Sequence, residues 1–348
     1  MKALPSNFVF LRLPHQEHYT VMAQANSTPE VLTSVLDISG REGFVMAPFE
    51  PSPSHPVLLM QPDMVEERVI EAQELAEIDD FAVGTQSGER KNYEEVFACF
   101  HNAVVSGQFS KLVLARTTEI DRPESVDLKQ LFLKACHLYP RAFVALVSMP
   151  QVGTWLMATP EILLEGHANC WQTMALAGTM KRPNGLPEGC DAIWSDKDKE
   201  EQGYVSTYIS DTLHRFAKNV SSDGPYTAVA AHLVHLRTDF SICKSEVGNV
   251  GELIDALYPT PAVCGIPKEQ ARAFIINNES VSRRYYSGFC GPISPSGNSH
   301  LYVSLRCMEI MSDRLRLYAG SGILGDSTVE GEWQETQSKL QTMLRLLR

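Results

Sequence analysis

In the segment FSKLVLAR (109–116) a period of two puts Phe109, Lys111, Val113 and Ala115 on one strand face and Ser110, Leu112, Leu114 and Arg116 on the other. Both faces are mostly apolar, so Lys111 is expected in a covered sheet. Burial there disfavours the ammonium and lowers its pKa toward that of a general base. An edge-strand lysine that blocks aggregation fits the same pattern. Glu161 follows Thr159-Pro160, opens the run EILLE and shares a face with Leu163. A carboxyl among apolar neighbours would have a raised pKa and could serve as a general acid, whereas a strand-end glutamate facing water is the plainer reading.

The helix expected over 196–218 carries an apolar stripe of Val205, Ile209, Leu213 and Phe216, and extending that face backward by helical steps reaches Glu201 and then Asp198. Both carboxylates should point inward. Ser195-x-x-Asp198 also fits a capping box, which would leave Asp198 no duty beyond the helix terminus. The last expected helix holds a second acid pair, Glu332 and Glu335, with Lys339 one turn further on the same face and Ser327-x-x-Glu330 as its capping box. Two inward carboxylates on each of two helices would suit a hard divalent cation, Mg²⁺ above all, because it takes few carboxylates and keeps positions for water and substrate. An exposed face of i,i+4 pairs is the alternative. Gly320-x-Gly322-x-x-Gly325 matches the dinucleotide fingerprint, but only 23 residues follow Gly325, too few for the rest of a dinucleotide-binding unit. These glycines are expected instead to let the backbone approach a small ligand closely.

The elements that position these residues follow from periodicity. Helices are expected over about 65–80 and 93–105, then strands over 109–116, 142–149, 154–158, 161–165 and 170–176, the helix over 196–218, strands over 285–293, 301–310 and 314–320, and a closing helix. Ser312-Asp313 should turn the last two strands into a hairpin. Strands joined by hairpins rather than regular helical crossovers imply an α+β fold with largely antiparallel sheets. With 348 residues, 44% hydrophobic and 21% charged, the chain can bury a large core. A net charge of −12 with no Lys/Arg-rich run argues against a nucleic-acid partner. No segment approaches about 18 consecutive apolar residues, the first residues lack a signal-peptide pattern, and the eight scattered cysteines form no C-x-x-C pair. A reduced, cytoplasmic protein with no membrane partner is expected.

FSKLVLAR, ATPEILLE, ALAGTMKR, HLRTDF, PTPAVCGIPKEQA, YYSGFCGPI, VSLRCMEI and YAGSGI…EGEWQETQSKL occur in the order seen in the chorismate-utilising enzymes, and the chain resembles that family over roughly residues 90–348. The family includes anthranilate synthase component I, aminodeoxychorismate synthase component I, isochorismate synthase and salicylate synthase. The resemblance implies two joined halves built on large antiparallel sheets with outer helices, and a cleft between them that binds Mg²⁺ and chorismate. Residues 1–85 would then be a divergent N-terminal part of the same fold, and 86–348 the chorismate-binding catalytic region.

Three positions choose among the members. Lys111 stands where water-using members carry a base and ammonia-using members typically carry Gln; Ala177 stands where aminodeoxychorismate synthases carry a nucleophilic lysine; Ala262 matches isochorismate synthases, whereas salicylate synthases tend to have Thr. The resemblance thus implies isochorismate synthesis, with water attacking C2 of chorismate while the C4 hydroxyl leaves, Lys111 as base and Glu161 as acid. It gives Glu201 and Glu335 to Mg²⁺, with Asp198 and Glu332 as outer or water-mediated partners. Arg306, on the strand face of Tyr302 and Ser304, would take the enolpyruvyl carboxylate with Tyr286 as helper. Gly320, Gly322 and Lys339 would surround the substrate carboxylates, His235 would line the ring pocket, and the Gly178 backbone would help place the attacking water. As a lone residue, His235 reads as a packed core histidine. Relatives usually have Glu-His where this chain has Glu201-Gln202 preceded by Glu200, so a register slip would make Glu200 the ligand. Gly203 costs its helix about 1 kcal/mol relative to alanine, so metal binding is expected to tighten it. The rival readings are a salicylate synthase that goes on to eliminate pyruvate, an ammonia-using subunit partnered with an amidotransferase, and a silent chorismate-binding protein. A monomer without an amidotransferase is expected, its product feeding menaquinone, catechol siderophores or salicylate.

Overall fold

The computed structural model describes residues 5–71, 88–123, 126–183, 189–230 and 233–348. In chain order the strands and helices are β1 (Asn7–Arg12), β2 (His18–Gln24), β3 (Glu30–Leu32), β4 (Gly43–Ala47), β5 (Val57–Met60), β6 (Met64–Val69), α1 (Glu89–Val105), β7 (Lys111–Asp121), α2 (Leu128–Leu138), β8 (Phe143–Met149), β9 (Gly153–Thr159), β10 (Ile162–His167), β11 (Cys170–Lys181) and α3 (Asp196–His214). There follow β12 (Ser221–Ala230), β13 (Leu233–Cys243), α4 (Val250–Leu257), β14 (Gly265–Ile266), α5 (Lys268–Asn278), β15 (Phe289–Ile293), β16 (Ser299–Val303), β17 (Cys307–Ile310), β18 (Arg314–Ile323) and α6 (Val329–Leu344). They form two nine-stranded sheets, ordered β14-β7-β18-β17-β9-β8-β1-β2-β6 and β12-β13-β11-β10-β16-β15-β4-β5-β3. Neighbouring strands pair antiparallel, as in the β8–β9 and β17–β18 hairpins, so the α+β expectation holds.

Strand alternation explains the layering. Val9 and Leu11 of β1 and Ala145 and Val147 of β8 pack between the sheets against Phe44, Met46, Leu58 and Met60, while Phe10, Val144 and Leu146 face outward onto α2 and the end of α6. The second sheet buries its outer face under α3 and α4 through Val205, Ile209, Leu253 and Leu257. With apolar layers on both faces, the central strands read as nearly continuous hydrophobic runs.

Several expectations are corrected. The helix over 65–80 is strand β6 where it is described, because its register with β2 outweighs the helical propensity of Glu66, Glu67 and Arg68; positions 72–80 lie outside the described residues. The strand over 285–293 begins only at Phe289, since Arg284 and Ser287 take positive φ in a turn. The strand over 301–310 breaks into β16 and β17, which belong to different sheets.

Candidate active site

Two crossings of the chain between the sheets form the base of the site. Thr159-Pro160-Glu161 carries the chain from β9 to β10, and Ser304–Arg306 carries it from β16 to β17. Backbone hydrogen bonds from Val303 N to Glu161 O (3.0 Å) and from Ala158 N to Arg306 O (3.1 Å) tie the crossings together. A chain changing sheets cannot continue its ladder, and Arg306 takes φ 47° there. Arg306 therefore does not share a strand face with Tyr302, which instead donates its hydroxyl to Glu165. Glu161 precedes β10 and is buried. Burial pushes its carboxyl up to about 7, against a hydrogen bond donated by Thr260 Oγ1 to Oε1 at 3.0 Å and the charges of Lys111, Lys339 and Arg306. A carboxyl that keeps its proton near neutral pH is what a general acid requires.

Lys111 opens β7 wholly buried, and its Nζ lies 2.9 Å from Glu201 Oε1 on α3. The aggregation-blocking alternative fails, because no part of this side chain meets water. Gly322, opposite Val113 in β18, explains how the pair fits: a Cβ at 322 would fall 2.3 Å from Glu201 Oε1 and 3.0 Å from Lys111 Cε. A Cβ at Gly320 would fall 2.8 Å from the Tyr286 hydroxyl. The glycines, expected to approach a ligand, make room for the side chains of the site itself.

Ser195 caps α3, its Oγ accepting from Asp198 N at 3.1 Å and donating to Asp198 Oδ2 at 2.5 Å. Asp198 is thus held at the helix end. One turn on, Glu201 points inward. Burial alone would raise its carboxyl, but the charge and hydrogen bond of Lys111, with Lys339 and Lys197, bring it below its ordinary range. Glu200 bonds the Tyr204 hydroxyl on the outer face, so the helix register favours Glu201 as the inward acid. Gln202, in place of the family's usual histidine, donates to Ala175 O and Thr238 Oγ1 beneath the helix, each at 3.2 Å.

The cap of α6 is Thr328 rather than Ser327, whose Oγ accepts from Leu324 N one turn earlier. Glu332 is buried, which excludes the exposed-face alternative for it, and it pairs with Lys197 Nζ at 2.5 Å. Glu335 pairs with Lys339 at 2.5 Å, and Lys339 also donates to Gly320 O at 2.8 Å. Each of the three inner acids thus holds a lysine, and no three of the four acids bring one oxygen each within 4.8 Å of one another. Burial first, and the Glu335 charge second, push Glu332 up to about 7, and its Oε2 is buried with no hydrogen-bond partner among the described residues. Repelling carboxylates with an unsatisfied inner oxygen fit a hard cation.

Arg306 is buried, and burial lowers its guanidinium to about 10. Its Nη2 donates to His235 Nε2 at 3.2 Å, and His235 Nδ1 lies 3.0 Å from Gly178 O, so the network assigns the ring proton to Nδ1. His235 is buried, and its ring orients Arg306. Arg306 Nη1 is buried with no partner among the described residues, a donor suited to a carboxylate. Gly178 sits at a bulge in β11 with φ 68°, where a Cβ would press on Asp198. Tyr286 stacks on Tyr318 with ring centroids 5.4 Å apart. Ala262 packs against the second sheet's core, and Ala177 is buried in the same cluster. No local sequence pattern marks Thr260 or Lys197; the first lies in the PTPAV motif and the second between the cap and Asp198.

The fold and site define a class: a two-sheet α+β protein with a buried acid, a buried lysine and an inward arginine at the crossings between sheets. The sequence profile of the chorismate binding enzymes matches residues 60–348, and the chain belongs to that family. An isochorismate synthase of Bacillus subtilis strain 168 is 31% identical over 259 residues, 70% of this chain and 64% of the relative. One from Escherichia coli K12 is 28% identical over 263 residues, 74% of this chain and 67% of the relative. The matched region thus spans about two thirds of these relatives' length. The structure of the menaquinone-specific isochorismate synthase from Escherichia coli superposes with TM-score 0.80 at 21% identity, covering 100% of this chain and 90% of that one. Anthranilate synthase component I from Streptococcus pneumoniae gives 0.70 at 15% identity, covering 99% and 93%. No helix among the described residues is long and apolar enough to cross a membrane.

Proposed function

We propose that this chain interconverts chorismate and isochorismate, adding water at C2 of the ring while the C4 hydroxyl departs. The observation that carries the reading is Glu161, a buried carboxyl pushed up to about 7 within the electrostatic reach of wholly buried Lys111. Lys111 Nζ takes a proton from the attacking water, and Glu161 delivers one to the leaving hydroxyl. Arg306 Nη1 takes the enolpyruvyl carboxylate, with Tyr286 beside it, while His235 keeps the guanidinium in place. Lys339 and the strand bearing Gly320 and Gly322 border the substrate, and the Gly178 bulge presents backbone toward the attacking water.

Glu201 and Glu335 are the residues to hold Mg²⁺, with Asp198 and Glu332 as outer partners. When bound, the ion supplies positive charge against the ring carboxylate and takes up acid charge now matched by lysines. Glu201 holds Lys111 Nζ in an ion pair at 2.9 Å, so the carboxylate offered to Mg²⁺ is also the one that positions the base.

The reading places the protein in the cytoplasm as a monomer needing no amidotransferase. The names of its relatives divide among menaquinone, vibriobactin and salicylate biosynthesis, so the consuming reaction is left open. The test is incubation of purified protein with chorismate and Mg²⁺, with and without EDTA, with products resolved by chromatography. Isochorismate in equilibrium with chorismate, lost on chelation, is expected. Salicylate with pyruvate would favour the lyase reading against Ala262, and absence of conversion with any divalent metal would leave a binding protein.

A further inference from the structure

A second constellation lies at the C-terminal end of β10. Glu165 sits directly opposite His300 of β16, and His167, two residues along, returns to the same face. One ligand atom from each of Glu165, His167 and His300 lies within 4.8 Å of the other two. His300 Nδ1 is 3.0 Å from Glu165 Oε1, and His167 Nε2 is 3.4 Å from Oε2. Neighbouring ligands on a tetrahedral zinc, with bonds near 2.0–2.1 Å, stand about 3.3 Å apart, comparable with these two contacts, which engage different oxygens of the one carboxylate. Tyr302 donates its hydroxyl to Glu165 Oε1 at 2.6 Å and is itself stacked on Phe143. That is the oriented outer partner a metal-binding carboxylate uses. The three residues line a cavity of about 500 Å³ whose wall also includes Arg237 and His235.

We propose that Glu165, His167 and His300 form a binding site for a divalent transition-metal ion, best suited to Zn²⁺, distinct from the carboxylate nest of α3 and α6. Two imidazoles and one carboxylate select zinc or a neighbouring first-row ion over Mg²⁺, and three protein ligands leave a further position for water. The site needs none of the residues assigned to chorismate chemistry as ligands, so it stands or falls independently of that reading.

The test uses the full chain, stripped with a chelator and dialysed against Zn²⁺ in excess Mg²⁺, which occupies all-oxygen sites. One retained Zn²⁺ per chain is expected, with a visible band when Co²⁺ replaces it. His167→Gln and His300→Gln should each weaken Zn²⁺ binding at least about tenfold and abolish the Co²⁺ band. Because the His167 side chain is 41% exposed, His167→Gln leaves the core intact, and the rise in melting temperature that Zn²⁺ gives the unsubstituted protein should vanish in it. Absence of retained Zn²⁺, or equal retention by the unsubstituted protein and His167→Gln, would overturn the proposal.

Discussion

Glu161 and Lys111 are buried for opposite purposes: one keeps a proton that water would take, and the other holds a charge matched by a single carboxylate. The acid supplies a pH signature. With its pKa near 7, Glu161 loses its proton as pH rises through neutrality, so kcat/KM for chorismate should fall on the alkaline side of about 7. Glu161→Gln should remove that limb and lower the rate about 10²–10⁴-fold. Thr260 holds the carboxyl down by hydrogen bonding, so Thr260→Val should move the limb to higher pH; an unmoved limb would detach it from Glu161. Stability follows the same sign. A carboxyl raised in the folded state contributes fully below its ordinary 4.5, and the contribution is lost as pH rises through about 7. Glu161→Gln should therefore gain about 2.5 kcal/mol relative to the unsubstituted protein between pH 5 and 8, measured by urea unfolding at both values. Lys111→Ala, assayed with Mg²⁺, should retain chorismate binding and the far-UV spectrum while turnover falls at least about 10²-fold; retained turnover would remove Lys111 as the base.

At the scale of elements, the position of β7 depends on an ion pair that the sequence reading did not mark. Glu279 and Arg283, at the end of α5 and just beyond it, are almost wholly buried and bridged at 2.6 Å. Arg283 donates to Val113 O (2.7 Å) and Val263 O (2.6 Å), and Ala115 N donates to Glu279 Oε1 (2.7 Å). The pair thereby satisfies backbone groups where β14, only two residues long, leaves the flank of β7 unpaired, and it fixes the loop bearing Thr260. Glu279→Ala strands a guanidinium in the core and should cost about 3–5 kcal/mol, read as a lower urea midpoint at unchanged m-value. A change under about 1 kcal/mol would mean the pair merely fills space. What the sequence disclosed at this scale was periodicity: β8, β9 and β11 alternate between two apolar layers, and the α3 stripe pointed to Glu201. What it concealed depended on partners far along the chain. β6 is a polar edge strand with helix-forming residues, and β12 carries Gly224-Pro225 at a register shift, so neither displays strand alternation. The lysines that match the inner acids stand 90 to 135 positions from them in two of three cases, and Arg306 owes its place to a change of sheets that no local pattern signals.

For the whole molecule, the motifs lie beyond residue 90, yet the first sixty residues complete both sheets. β1 pairs with β8 in the first sheet, and β4 pairs with β15 in the second. Val9, Leu11, Phe44, Met46, Leu58 and Met60 supply the inter-sheet layer on which β8 and β9 rest. Burying each such side chain contributes about 1.5–3 kcal/mol, so six together rival the 5–15 kcal/mol by which a typical domain is stable. Their removal would also bare the edges of β8, a seven-residue apolar strand, and of the shorter β15, and a bared apolar edge invites pairing with another chain. A chain trimmed to residues 88–348 retains every residue assigned to acid, base, substrate or Mg²⁺, and is nonetheless expected to aggregate, bind a hydrophobic dye and melt without a cooperative transition. Because Glu161 and Arg306 lie where the chain passes from one sheet to the other, loss of the layer between the sheets should also abolish turnover in any soluble fraction. Gel filtration, calorimetry and the chorismate assay on that fraction decide the matter. A soluble, cooperatively melting and active 88–348 would show that the N-terminal strands only decorate a self-sufficient catalytic half.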